Sequence, residues 1–278
     1  GNANNILKIG YYGNCYGLCY ANGRLYTITS SGRIAYYDMV QKTWGSLSDT
    51  AGSGTWYKLL FGNGKLYAAN SSGKIRAYDF DNNTWSDLTT NSSITSSSLC
   101  FNDSKLYATN ISSGTIYCYD IENDTWTEYE NIFYATDENG NQWGNCVFVN
   151  NKLYAVNRAW YNAKVGYYDF STGTVTKSEK TTYNITSSYG YNITWFKDKI
   201  YIKDYNYGYL AAGDLNLSKW KRSSEYAYSV LSAYGWYSDM VCIANMIFVI
   251  HSDSGIIAVY DTAFDSELSK TFKFTKAT

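Results

Sequence analysis

One motif recurs along this chain with a fixed grammar. An aliphatic–aromatic pair opens each copy: Leu25-Tyr26, Leu66-Tyr67, Leu106-Tyr107, Leu153-Tyr154, Ile200-Tyr201 and Ile247-Phe248. Successive pairs stand about 40 to 47 residues apart, the span of a four-stranded propeller blade. An Asp lies downstream of each pair, at Asp38, Asp79, Asp120, Asp169, Asp214 and Asp261. Tyr precedes it in every copy but one, where Gly213 stands. Six positions after the Asp come Trp44, Trp85, Trp126 and Trp220, with Val175 and Glu267 in that place in the other two copies.

Upstream of each pair runs a short apolar stretch, such as Leu18-Cys19-Tyr20, Leu59-Leu60-Phe61 or Met240-Val241-Cys242-Ile243. Continuous apolar runs of this length suit a strand buried on both faces. We assign it as strand A, the innermost. Strand B then carries the Leu-Tyr pair, strand C the Tyr-Asp, and strand D begins at the Trp. Asn22-Gly23 and Gly62-Asn63-Gly64 supply the positive φ that tight hairpins need. A single blade cannot bury its own faces, whereas a ring of six can. The Leu-Tyr…Tyr-Asp…Trp skeleton resembles the kelch family over nearly the whole chain. Ala69-Asn70 and Thr109-Asn110 stand near the place of that family's Gly-Gly doublet. The expected fold is all-β: a six-bladed β-propeller of four-stranded antiparallel blades, as a single domain over residues 1–278. Either Ile6 to Ile9 or Leu268 to Phe274, or both side by side, is expected to complete blade six.

Composition narrows the partners. Net charge is −1 and charged residues make up 17%, which leaves no electrostatic footprint for nucleic acid. No apolar run approaches the length of a membrane span, so membrane insertion is not expected. The polar N-terminus is expected to carry no signal peptide, one having been removed or never present. Of the six cysteines, Cys19, Cys100, Cys146 and Cys242 fall in strand A runs, with Cys15 and Cys118 elsewhere. All are expected reduced, as small buried hydrophobes, with Cys15 and Cys19 on one face of their blade. With one histidine and no CxxC, no metal site or cofactor is expected. Placement is expected to be extracellular, on a cell surface or on a virion, with the cytoplasm left open by the reduced cysteines.

The two ends of such a disc differ. The A–B and C–D turns share one face and are short and polar. The B–C and D–A connections share the other, which is longer and aromatic. Loops on a rigid scaffold are where binding concentrates, and Tyr and Trp offer broad amphipathic surfaces there. The candidate ligand-binding residues are Trp56, Tyr57, Trp143, Trp160, Tyr161, Tyr205, Tyr207, Trp236 and Tyr237. Aromatic faces among Asn, Asp and Ser suit sugar rings and also protein partners. The competing reading makes these aromatics strand ends that pack between blades. No catalytic residue is assigned. His251 stands alone, and the loop carboxylates Asp49, Asp137, Glu138, Glu179, Asp204, Glu225, Asp239 and Asp253 permit a glycosidase or lyase without identifying one. Asp137-X-Asn139-X-Asn141 reads as a hydrated loop in preference to a calcium site. The expected function is a non-catalytic module recognising a surface glycan, of phage or bacteriocin receptor-binding or adhesin type. A protein–protein scaffold is the alternative.

Overall fold

The computed structural model describes residues 7–8, 14–94, 98–133, 143–157, 164–178, 192–203, 210–222, 237–261 and 273–276. They form six antiparallel sheets, each following chain order from strand A outward, arranged as a six-bladed β-propeller. Blade one has strands A (Cys15–Ala21), B (Arg24–Thr29), C (Ile34–Asp38) and D (Thr43–Ser46). The inner strands of the other blades are Trp56–Gly62, Cys100–Asn102, Trp143–Val149, Asn192–Phe196 and Tyr237–Ile243. No helix among the described residues is long and apolar enough to cross a membrane.

The repeated residues each have one job, repeated around the ring. In blades one to five the motif Asp closes the turn between strands C and D. Asp38 Oδ1 accepts the Val40 and Gln41 amides, Asp79 Oδ1 those of Asp81 and Asn82, and Asp120 Oδ1 those of Glu122 and Asn123. Asp169 and Asp214 accept from Ser171 and Ser218 in the same way. The second oxygen meets the cation that opens strand B, as in Arg24–Asp38 at 3.1 Å and Lys65–Asp79 at 3.5 Å. The strand D Trp packs on the Tyr before the Asp, with ring centroids 4.6 Å apart for Tyr37–Trp44, 5.2 Å for Tyr78–Trp85 and 4.9 Å for Tyr119–Trp126. Gly213 lacks that Tyr, and the Trp220 ring fills the vacated space, 2.7 Å from where a Cβ would stand. The A–B turns carry the predicted left-handed residues: Asn22 and Gly23 at φ 50° and 78°, Asn63 and Gly64 at 50° and 75°.

The core lies between blades. Six apolar clusters each join two adjacent blades, and one of them joins Phe248, Ile250, Ile257 and Val259 of blade six to Leu18, Leu25, Ala35 and Tyr37 of blade one. That cluster closes the ring. Blade six is completed from both ends of the chain: Leu7 and Lys8 pair with Ile257 and Ile256, and Lys273 to Lys276 pair with the Asp261 to Ala258 half of the same strand. The two segments lie end to end along one edge.

Strand A carries a bulge in four blades, at Gly17, Tyr57, Asn145 and Ser238. A bulge adds one residue and reverses which side chains face which way. Cys15 therefore packs with blade six and Cys19 with blade two, on opposite faces of blade one, where an unbroken strand would have put them on one. Gly17 has φ +66°, and a Cβ there would lie 2.4 Å from the Leu59 amide nitrogen, so the bulge of blade one requires glycine.

Candidate functional site

The same bulges move two of the candidate ligand-binding residues. Trp56 and Trp143 open strand A of blades two and four and are fully buried. The apolar runs seen in sequence begin after the bulge, so these two tryptophans look like loop residues. They are strand residues packed between blades, and their rings present no open face to a sugar. Tyr57 is itself the bulge residue of blade two, half-buried, with its ring edge-on to Tyr16 at 5.2 Å. Trp160, Tyr161, Tyr205, Tyr207 and Trp236 lie outside the described residues, as does the 137–141 loop. Tyr237 begins strand A of blade six, and its side chain also lies outside them.

Two polar layers surround the axis on the loop-rich side. The inner one comes from strand A, at Lys58, Asn145, Asn192 and Asp239, and from Ser98 just before it, with Gly17 leaving a gap in blade one. Lys58 of blade two reaches past side-chain-less Gly17 to Asp239 of blade six, Nζ to Oδ2 at 2.9 Å. The same oxygen accepts the Leu18 amide at 2.9 Å, so one carboxylate ties three blades together. Burial works against the Lys58 charge, but Asp239 outweighs it and holds the ammonium above its usual range. Asn145 Nδ2 donates to Asn192 Oδ1 at 2.5 Å across the next junction.

The outer layer is the residue three after the aromatic of each B-strand pair, where strand B meets its turn: Thr29, Asn70, Asn110, Asn157 and His251, with Asp204 of blade five outside the described residues. In four blades this side chain closes the B–C turn. Thr29 Oγ1 accepts the Arg33 amide, and Asn70 Oδ1 accepts those of Ser72 and Lys74. Asn110 Oδ1 accepts the Ser112 and Ser113 amides, and His251 Nδ1 that of Ser254. These are turn caps of the Asx kind, which accounts for the lone histidine as a structural residue.

Asn157 is the exception. It is fully buried, its backbone amide donates to Lys164 O, yet among the described residues neither Oδ1 nor Nδ2 has a hydrogen-bond partner. Trp143 pairs with it across the strands, and the Trp143 Nε1 is equally unpartnered. Blade two holds the same two residue types in the same register, Trp56 opposite Asn70. There the indole donates to Gly52 O at 2.9 Å and the amide is spent on its turn. Around Trp143 stand Phe133, stacked at 5.0 Å, and the Lys177 ammonium, 5.6 Å from the ring centroid. Buried polar atoms without partners are uncommon in folded proteins, and each needs a physical explanation. Sequence reasoning missed Asn157; the signal was the polar residue at a fixed distance from every B-strand pair.

No family model matches this chain, and no curated protein does. Among solved structures, the one titled YCF48 bound to D1 peptide is similar, with TM-score 0.62 and 11% identity over 94% of this chain and 82% of that one. The crystal structure of the computationally designed Ika8 protein is similar at TM-score 0.54 and 12% identity, covering 89% of this chain and 70% of that one. At these identities the likeness is one of fold: the chain is a β-propeller.

Proposed function

We propose that this propeller is a non-catalytic binding module that recognises a surface glycan through its loop-rich face, around blade four. The observation that carries the reading is that, among the described residues, Trp143 Nε1 and the Asn157 amide are unspent, whereas in blade two the indole N–H and the Asn70 amide oxygen are bonded. Unmet buried polar atoms each cost on the order of 1–3 kcal/mol. A hydroxyl-bearing ligand offers what they lack, since a sugar hydroxyl both donates and accepts. Trp160 and Tyr161 follow Asn157 in the chain and supply the aromatic surface on which a sugar ring stacks. The kelch-like skeleton suits a scaffold of this kind, and an extracellular, cell-surface or virion setting follows from such a ligand. The buried strand A carboxylate of Asp239 is committed to Lys58 and Leu18, which disfavours a glycosidase centred on it.

A second reading is a peptide or protein ligand at the same face. It is favoured by the similar propeller YCF48, whose structure holds a D1 peptide.

The test is a glycan-array screen of the purified chain beside a Trp160→Ala/Trp236→Ala variant and an Asn157→Leu variant. Binding by the parent that both variants lose places recognition on this face. Binding that survives Asn157→Leu removes the blade-four polar pair from the site. Silence of the parent on every glycan rejects the carbohydrate reading in favour of the peptide one.

A further inference from the structure

Along each inner strand, one side chain faces the following blade and the next inward neighbour faces the preceding one. The junctions thus bring together Leu60 with Leu99, Val147 with Ile193, and Val241 with Leu18 in their shared clusters. Between blades three and four the two places are held by Cys100 and Cys146. Their sulfurs are 3.4 Å apart. Cys19 takes the first place at the junction of blades one and two, but its partner there is Leu59; only between blades three and four do two thiols face one another.

The surroundings make the two sulfurs unequal. Cys146 Sγ lies 3.7 Å from Ser98 Oγ and 3.6 Å from Tyr107 O. Burial opposes a Cys146 thiolate, but the Cys100 thiol, the Ser98 hydroxyl and the Lys58 ammonium together outweigh it and draw the Cys146 pKa below the usual thiol range. Burial pushes Cys100 upward, and the neighbouring Cys146 adds to it. A more acidic thiol beside a neutral partner is the arrangement in which one sulfur attacks and the other resolves.

We propose that Cys100 and Cys146 form an oxidisable dithiol that closes to a disulfide between blades three and four on meeting a hydroperoxide. The Cys146 thiolate attacks the peroxide O–O bond; a sulfenic acid forms and, with one proton taken up, water leaves. The Cys100 thiol then attacks that sulfur. The S–S bond forms, the S–O bond breaks, and the Cys100 proton leaves with the hydroxyl as a second water. In all, two thiols are oxidised and one hydrogen peroxide is reduced to two waters. The product staples two inner strands whose contact is otherwise side-chain packing alone.

The experiment treats the folded, reduced full chain with hydrogen peroxide, alkylates the remaining thiols and maps the peptides by mass. The expected result is loss of two of the six free thiols, one cross-link joining the Cys100 and Cys146 peptides, and full reversal by dithiothreitol. Cys118→Ser, in the same interface but two strands farther out, retains the cross-link. In Cys100→Ser, dimedone traps a sulfenic acid at Cys146, whereas Cys146→Ser leaves Cys100 unlabelled. Cys100→Val/Cys146→Ile copies the neighbouring junction and provides a folded control without thiols at this site. Six intact thiols at a peroxide dose that oxidises the denatured chain overturn the proposal, and so does a cross-link between any other pair.

Discussion

Blades two and four contain the same Trp–Asn pair in the same register and use it differently. In blade two, Gly52 and Gly54 let the preceding loop close over Trp56. A Cβ at Gly54, where φ is +143°, would stand 2.8 Å from Asn70 Nδ2, so only glycine allows the backbone so near. There the indole N–H and the Asn70 amide oxygen both find partners within the chain. In blade four, Phe133 covers the indole face, and no described residue meets its N–H or the Asn157 amide. Identical residues thus act as a closed structural clasp in one blade and as unspent hydrogen-bonding capacity in the other. The residue type does not decide the role; what decides it is whether the neighbouring backbone comes close enough to use it.

The comparison breaks most visibly at the tryptophans. Trp56→Ala leaves a cavity and strands the Gly52 carbonyl, and is expected to cost about 4 kcal/mol in urea unfolding. Trp143→Ala leaves a similar cavity but breaks no hydrogen bond, so its cost is expected to be about 1 kcal/mol smaller. Equal losses would mean that the Trp143 N–H is bonded in solution.

The asparagines sharpen it further, because the expected signs are opposite. Asn70→Leu removes the acceptor that holds the Ser72 and Lys74 amides and is expected to destabilise by about 2 kcal/mol. Asn157→Leu replaces an unsatisfied buried amide with an apolar group of similar size and is expected to stabilise by about 1 kcal/mol. A variant that is more stable and yet fails to bind is the mark of a site whose polar atoms are kept for a ligand. Destabilisation by Asn157→Leu equal to that of Asn70→Leu would erase the distinction between the blades.

What was legible in the sequence was what recurs from blade to blade. The Asp of the C–D turn recurs in all six copies, the Tyr before it in five and the strand D Trp in four, at nearly constant spacing because each performs a local task within one blade. The axis is different, since there each blade contributes another side chain to a shared structure. Lys58 and Asp239 are 181 positions apart, and no period links them. The bulges at Tyr57 and Asn145 broke the alternation that would have placed Trp56 and Trp143 inside a strand. Asn157 was visible as a repeat position, but that its amide goes unspent depends on the path of neighbouring backbone, which spacing does not encode.

The smallest expected difference lies at the opposite ends of these two blades, where both should behave alike. Asp79 is held below the ordinary carboxylate value of 3.8 chiefly by the Asp81 amide, with the Asn82 amide and Lys65 assisting. Asp169 is held below it chiefly by the Ser171 hydroxyl and amide, with Lys152 assisting. In each case the folded chain prefers the ionised form. The stabilisation is therefore fully present above the unfolded-state value and is lost as pH falls through the lower, folded-state one. Asp79→Asn and Asp169→Asn should each flatten the urea midpoint against pH below about pH 4 and leave its slope near neutrality unchanged. The two traces should superimpose, because the turn chemistry is the same in both blades and the asymmetry is confined to the loop-rich side. A flattening seen only in blade two would carry the difference through the whole of blade four, and the unspent amide would then reflect a loosely held blade in place of a binding site.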